Sequence, residues 1–226
     1  MSLFFETTVN EWEETVYIPT TFGKTSLAVL FVILCLAAAF ISSKVTKSSK
    51  KLSTSQLAYC GMTIALGTVL SMIKLFHFPT GGSITLLSML VITLPGFWFG
   101  PITGIITGVA YGIFQLLIDP YVVHPAQLFI DYFFAFGALG LSGFFANAKN
   151  GLIKGYSLAI IGRYVFAVLS GWIFFGAYAW ENWSPFTYSL AYNAIYIFSE
   201  AAVTIAVLCI PSVKKAMLGV KAMAVK

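Results

Sequence analysis

The sequence predicts an all-α, polytopic membrane protein, and three observations carry that prediction. Of 226 residues, 59% are hydrophobic and only 9% are charged, too little polar surface to cover a water-soluble globule of this size. Apolar runs of about 20 residues, the length a bilayer core demands of a helix, recur at approximately 25–43, 55–76, 83–98, 100–118, 125–146, 155–178 and 187–210. Lysines gather between and after these runs, which is a topology signal. The net charge of +5 is therefore no sign of nucleic acid as a partner, and the expected surrounding is lipid.

The chain divides into an acidic leader (1–24), a first span with a basic linker (25–54), a core of six spans (55–212) and a basic tail (213–226). Glu6, Glu11, Glu13 and Glu14 precede the first apolar run, whereas a signal peptide begins with a basic region, so that run reads as a retained span. The third and fourth spans are separated only by Pro95, Gly96 and Pro101 around FWFG, and a single long re-entrant element is the alternative there. Gly100, Gly104, Gly108 and Gly112 recur every fourth residue, a spacing that lets two helices approach closely. Intramolecular packing is the plain reading of that row. Cys35, Cys60 and Cys209 lie inside apolar runs with no CxxC or histidine spacing and read as buried small residues.

With residues 1–24 outside, the inner segments collect ten of the thirteen basic residues, from Lys44 to Lys51, at Lys149 and Lys154, and from Lys214 to Lys226. The positive-inside rule then places the N-terminus outside and the C-terminus in the cytoplasm of a plasma-membrane protein. That orientation gathers the loops at 76–83, 119–126 and 177–186 on the outer face, with His77, His124, Asp119, Trp180, Glu181 and Trp183.

A carboxylate inside a spanning helix costs at least about 2.5 kcal/mol and calls for a partner or a ligand. Asp131, in the run HPAQLFIDYFF, is such a carboxylate, roughly 9 Å below an outer helix start near Pro125. Gln127 lies one turn above it on the same face. Tyr132, Phe175, Tyr178, Tyr188 and Asn193 sit at other outer helix ends. A carboxylate, amides and ring faces suit a flat, nitrogen-rich, cationic ligand. A structural hydrogen bond to a neighbouring helix is the alternative for Asp131. Arg163 and Glu200, at matching depths on the sixth and seventh spans, are expected to form an ion pair.

Enzymatic readings fail on composition. Gly140-Leu141-Ser142-Gly143 has the GxSG form of intramembrane serine proteases, but no histidine follows His124 to act as base. No metalloprotease, nucleotide-binding or dinucleotide motif is present. No catalytic residue, metal or cofactor is expected. A stand-alone secondary transporter of a small cationic or heteroaromatic solute, and an adaptor binding a partner through its glycine face, remain as other classes.

The run 124–145, GRYVFAVLSGWIFFGAYA (162–179), YSLAYNAIY (188–196) and PTGGSIT (79–85) together resemble the thiamine-specific S components, ThiT type, of energy-coupling factor (ECF) transporters. The resemblance spans about 55–212 and implies a six-helix core that captures thiamine or a related pyrimidine from outside. It also implies assembly with a transmembrane coupling subunit and two ATPases. On the matching motifs it assigns ligand contacts to Asp131, Tyr132, Phe175, Tyr188 and Asn193, with Gln127 beside them. A lid or outer loop falls to His77, Phe78, Gly81, Gly82 and Trp180, and docking on the coupling subunit to Gly61 and Ala65. Where the family often carries a histidine, this chain has Ala167. The span at 25–43 is an addition to the six-helix core.

Overall fold

A computed structural model describes residues 3–9, 15–26, 29, 53–78 and 81–225. Apart from residues 25, 26 and 29, the span expected at 25–43 and most of its linker fall outside the described residues, as do Cys35, Glu11, Glu13 and Glu14. Six helices follow: α1 (Thr54–Met72), α2 (Ser88–Phe99), α3 (Pro101–Ile118), α4 (Phe129–Phe145), α5 (Gly151–Phe174) and α6 (Pro185–Cys209). The tail folds as a further helix, α7 (Pro211–Ala224). α3, α5 and α6 are each long and apolar enough to cross a membrane. Leu57, Met62, Leu66 and Val69 on α1, and Ile161, Val165, Leu169 and Trp172 on α5, are exposed. These apolar stripes match a lipid surrounding.

Two small antiparallel hairpins join the helices. β1 (Phe5–Val9) pairs with β2 (Thr15–Pro19), and β3 (Lys74–His77) pairs with β4 (Ser83–Thr85). The β1 residue Phe5 packs on Leu116, Val122, Leu128 and Tyr132, so this strand rests where the end of α3 meets the start of α4.

Several boundaries differ from the apolar runs. α1 stops at Met72 and the apolar residues after it enter β3. The third run starts as strand β4, and its helix begins only at Ser88. At about 1.5 Å per residue the 12-residue α2 is about 18 Å long, short of a bilayer core. Ser88 to Trp98 are all buried, so α2 is a central post wrapped by its neighbours. Pro95 lies within α2, and the break falls at Gly100, whose φ of 96° no side chain favours; Pro101 then opens α3. Two helices, not one re-entrant element, occupy this stretch.

The expected Arg163–Glu200 ion pair does not form. Glu200 instead caps α2. The residue before that helix, Leu87, has a φ of 60° and supplies no side-chain cap. Glu200 fills the gap from α6, its Oε2 accepting from Thr85 N at 2.9 Å and Thr85 Oγ1 at 2.6 Å, its Oε1 from Met89 N at 3.1 Å. A carboxylate at a helix N-terminus meets both unpaired N–H groups and the positive end of the helix dipole.

The glycine row does pack within the chain. A Cβ on Gly104, Gly108 or Gly112 would stand 2.8 Å from the Gly140 Cα, 2.3 Å from the Phe136 oxygen and 1.7 Å from the Tyr132 oxygen, respectively. α3 and α4 thus touch backbone to backbone. Ser142 is buried and donates to Thr93 O at 2.6 Å, in keeping with a packing role. Cys60 is buried, but Cys209 is exposed, contrary to expectation, because the end of α6 turns it outward. After α6, α7 folds back on the core, where Lys221 Nζ lies 3.9 Å over the Phe97 ring and donates to Ala146 O. Burial there holds the Lys221 ammonium below its usual pKa.

Candidate ligand-binding site

α4 is irregular where it matters. Phe129–Phe134 winds as a π-helix, Ala135–Gly137 as one α turn, and Ala138–Phe145 as 3-10 helix. π-turns are uncommon and collect at functional sites. This one contains Asp131, and the Tyr132 carbonyl that it turns outward sits against Gly112.

Asp131 lines a cavity of about 330 Å³ between α3, α4, α5 and α6, roofed by the β3–β4 hairpin. Its Oδ2 accepts from Gln127 Nε2 at 2.8 Å, which is the one-turn relation expected from sequence. Gln127 is 1% exposed and fixed at its other end, since Oε1 accepts from Val123 N at 2.8 Å. The amide therefore ties the carboxylate to the loop between α3 and α4.

Phe175, Tyr188 and Asn193 also line the cavity. Phe175 stacks on Tyr121 with centroids 6.1 Å apart and planes 16° apart. Asn193 is held by Ser189 O at 2.9 Å and by the Tyr196 hydroxyl, which donates to Oδ1 at 2.8 Å. Tyr132 reaches the cavity too, but its hydroxyl accepts from Tyr121 N at 2.9 Å and pins the loop between α3 and α4.

The residues expected to form a lid or outer loop separate into two groups. His77, Gly81 and Gly82 border the cavity, with His77 Nδ1 2.8 Å from Ser83 Oγ. Phe78 and Trp180 stand behind the lining: Phe78 packs on Tyr192 at 5.6 Å, and Trp180 lies edge-on to Tyr188 at 5.3 Å. At the rim Lys74 and Asp119 form an ion pair at 2.6 Å, joining the hairpin to the end of α3. Gly61 and Ala65 lie far from all this, exposed on α1, with nothing within 4 Å of a Cβ built on Gly61.

Sequence reasoning missed Tyr121, Tyr192, Tyr196 and Ser170, and misplaced Arg163. Tyr188, Tyr192 and Tyr196 follow one another at i, i+4 and i+8, a spacing visible in YSLAYNAIY, and their rings lie 5.3 and 6.2 Å apart in series along α6. Tyr121 carries no such signal, because only the loop's fold brings it against Phe175. Among the described residues no group of three His, Cys, Asp or Glu is placed to hold a metal.

The family model described as Thiamine transporter protein (Thia_YuaJ) matches residues 57–219. The chain belongs to that family. The thiamine transporter ThiT of Bacillus subtilis (strain 168) is 36% identical over 163 residues, covering 66% of this chain and 81% of that protein. A solved structure of ThiT from Listeria monocytogenes shares the fold, with a TM-score of 0.60 at 24% identity over 70% of this chain and 96% of that one. As a member of the Thiamine transporter protein family, the chain is a multi-pass membrane protein of a transporter family rather than an enzyme. The matched residues begin inside α1, so the β1–β2 hairpin and the expected first span precede the part the family shares.

Proposed function

We propose that this chain is the membrane subunit that captures thiamine, or a close pyrimidine relative, from outside the cell for uptake. The observation that carries the proposal is a carboxylate, Asp131, held in place by Gln127 on the wall of a cavity lined with aromatic rings, in a chain of the thiamine transporter family. An aminopyrimidine presents an N–H donor beside a ring nitrogen, and a fixed carboxylate accepts such a donor with a charge-assisted hydrogen bond. Phe175 and Tyr188 offer ring faces to a cationic thiazolium. Asn193 adds an amide on the opposite wall.

In this reading the N-terminus is outside, the β3–β4 hairpin closes the cavity from the outer side, and the basic α7 lies at the cytoplasmic face. Uptake uses a separate ECF coupling subunit and two ATPases, with exposed Gly61 and Ala65 on α1 as the docking stripe. Titration of the purified protein with thiamine, followed by tryptophan quenching, tests the proposal. Saturable binding that is strongly weakened in Asp131→Asn is expected; absence of binding by both thiamine and its pyrimidine half overturns the substrate. Uptake in vesicles lacking any ATPase partner would instead favour a stand-alone transporter.

A further inference from the structure

The β1–β2 hairpin precedes the residues that the family model matches, yet it packs on the stretch of chain that holds Asp131. On β1, Phe5 is half-buried while Glu6 to Val9 are exposed, so this ring is the strand's contact with the helices. The strand is itself fastened. Thr20, just past β2, donates from its N to Phe4 O at 3.0 Å and from its Oγ1 to Leu3 O at 2.8 Å, and Phe22 packs on Phe4 with centroids 5.2 Å apart. Phe5 is therefore presented by a braced hairpin and not by a loose end.

The cluster that Phe5 covers is small. Leu116 and Val122 are fully buried, and Leu128 and Tyr132 nearly so, although Val122 lies in the loop between α3 and α4. Leu116, Val122 and Leu128 stand behind the cavity lining, and their neighbours form it. Val123 N donates to Gln127 Oε1 at 2.8 Å, and Gln127 Nε2 donates to Tyr121 O at 3.3 Å and to Asp131 at 2.8 Å. Tyr121 N donates to the Tyr132 hydroxyl, and the Tyr121 ring stacks on Phe175. The same ring presses on the roof, since a Cβ on Gly81 would stand 3.0 Å from it. The loop at 119–128 thus has the cavity on one side and Phe5 on the other. Its backbone is held by side chains rather than by a ladder, and such segments open at lower free energy than the helices around them. An apolar cover over Val122 and Leu128 raises that cost, because opening then exposes more apolar surface to water.

We infer that the β1–β2 hairpin clamps the α3–α4 loop from behind, with Phe5 as its positioning residue, and that the clamp sets how long a captured ligand stays in the cavity. The inference rests on the proposed function for the identity of that ligand. Phe5 stands outside the cavity lining and acts through Val122, Leu128 and Tyr132 on the Gln127–Asp131 pair.

The test uses the full-length chain, purified, with thiamine association and dissociation followed by stopped-flow tryptophan fluorescence. Phe5→Ala is expected to raise the dissociation rate by about threefold to tenfold and to change the association rate by less than about twofold, with a ligand-free melting temperature close to wild type. Phe5→Leu is expected to recover most of the loss, and Thr8→Ala, on the exposed part of β1, to change neither rate. An unchanged dissociation rate in Phe5→Ala, or an equal rise in Thr8→Ala, overturns the clamp. Hydrogen exchange reads the clamp without a ligand. Faster exchange over 119–128 in Phe5→Ala than in wild type, with α5 unchanged, is expected, and equal exchange overturns it. If thiamine does not bind wild type, the proposed function fails, and this exchange decides the clamp alone. If Phe5→Ala does not fold, Phe5→Leu gives the same comparisons, with a rise of about twofold expected in the dissociation rate.

Discussion

The α3–α4 pair and the α5–α6 pair make opposite use of contact. α3 and α4 meet through Gly104, Gly108, Gly112 and Gly140, with backbone against backbone and no room for a methyl. α5 and α6 meet through side chains: Ser189 Oγ donates to Val168 O at 2.7 Å, and the Tyr164 hydroxyl to Leu190 O at 3.0 Å. The first pair closes a seam. The second also packs closely, but leaves Ala167, Ser170, Tyr188 and Asn193 along the cavity wall. The contrast teaches that close packing and cavity lining fall to different faces of the same four helices, and each can be altered without the other.

The largest effect is expected at the seam. Gly112→Ala puts a carbon 1.7 Å from the Tyr132 oxygen, and since α4 is backbone at that point nothing can rotate away. A loss of about 3 kcal/mol or more is expected, read as a lowered melting temperature in detergent. Next comes Glu200→Ala, which strips the acceptor from Thr85 N and Met89 N. A cost of about 2–3 kcal/mol is expected, with earlier proteolysis of the β3–β4 hairpin than in wild type. If Glu200→Ala unfolds no more easily than wild type, the cap is not what fixes the start of α2.

On the cavity wall the effects move from stability to affinity. Asp131→Asn is expected to weaken thiamine binding by about 10- to 100-fold, with a melting temperature close to wild type. A fall in melting temperature with affinity preserved would assign Asp131 to the fold instead. Ala167→His tests the position where the family often has an imidazole: a twofold to tenfold gain in thiamine affinity is expected, about what one added contact is worth. The smallest change in stability is expected for Gly61→Leu, within about 0.5 kcal/mol, because a Cβ there meets nothing. Its readout is co-purification with a coupling subunit, expected to fall.

Much of this contrast was legible from residue types in order. The glycine row announced a close helix contact, and the Gln127–Asp131 spacing put the two on one face, because both depend on helical period alone. Asp131 stood out because a charge in an apolar run is expensive wherever the run folds. Glu200 and Arg163 were equally visible as charges, yet their pairing was misread. Matching depth on two helices does not say which way each side chain turns, and Glu200 found its donors 115 and 111 residues back along the chain. Tyr121 gave no signal, since a loop tyrosine next to a proline is unremarkable until the loop folds.

Hydropathy, helical period and the positions of lysines are properties of short stretches, and by themselves they determined a polytopic helical membrane protein with its charged and aromatic groups near one face. The tertiary structure alone decided that α2 is a short buried post capped from α6, that α4 unwinds into a π-turn at Asp131, and that Arg163 reaches the cavity floor unpaired. Each of these depends on which groups from distant parts of the chain meet. A buried donor or charge is satisfied by whatever acceptor the packing brings near, and packing is decided by all the helices at once.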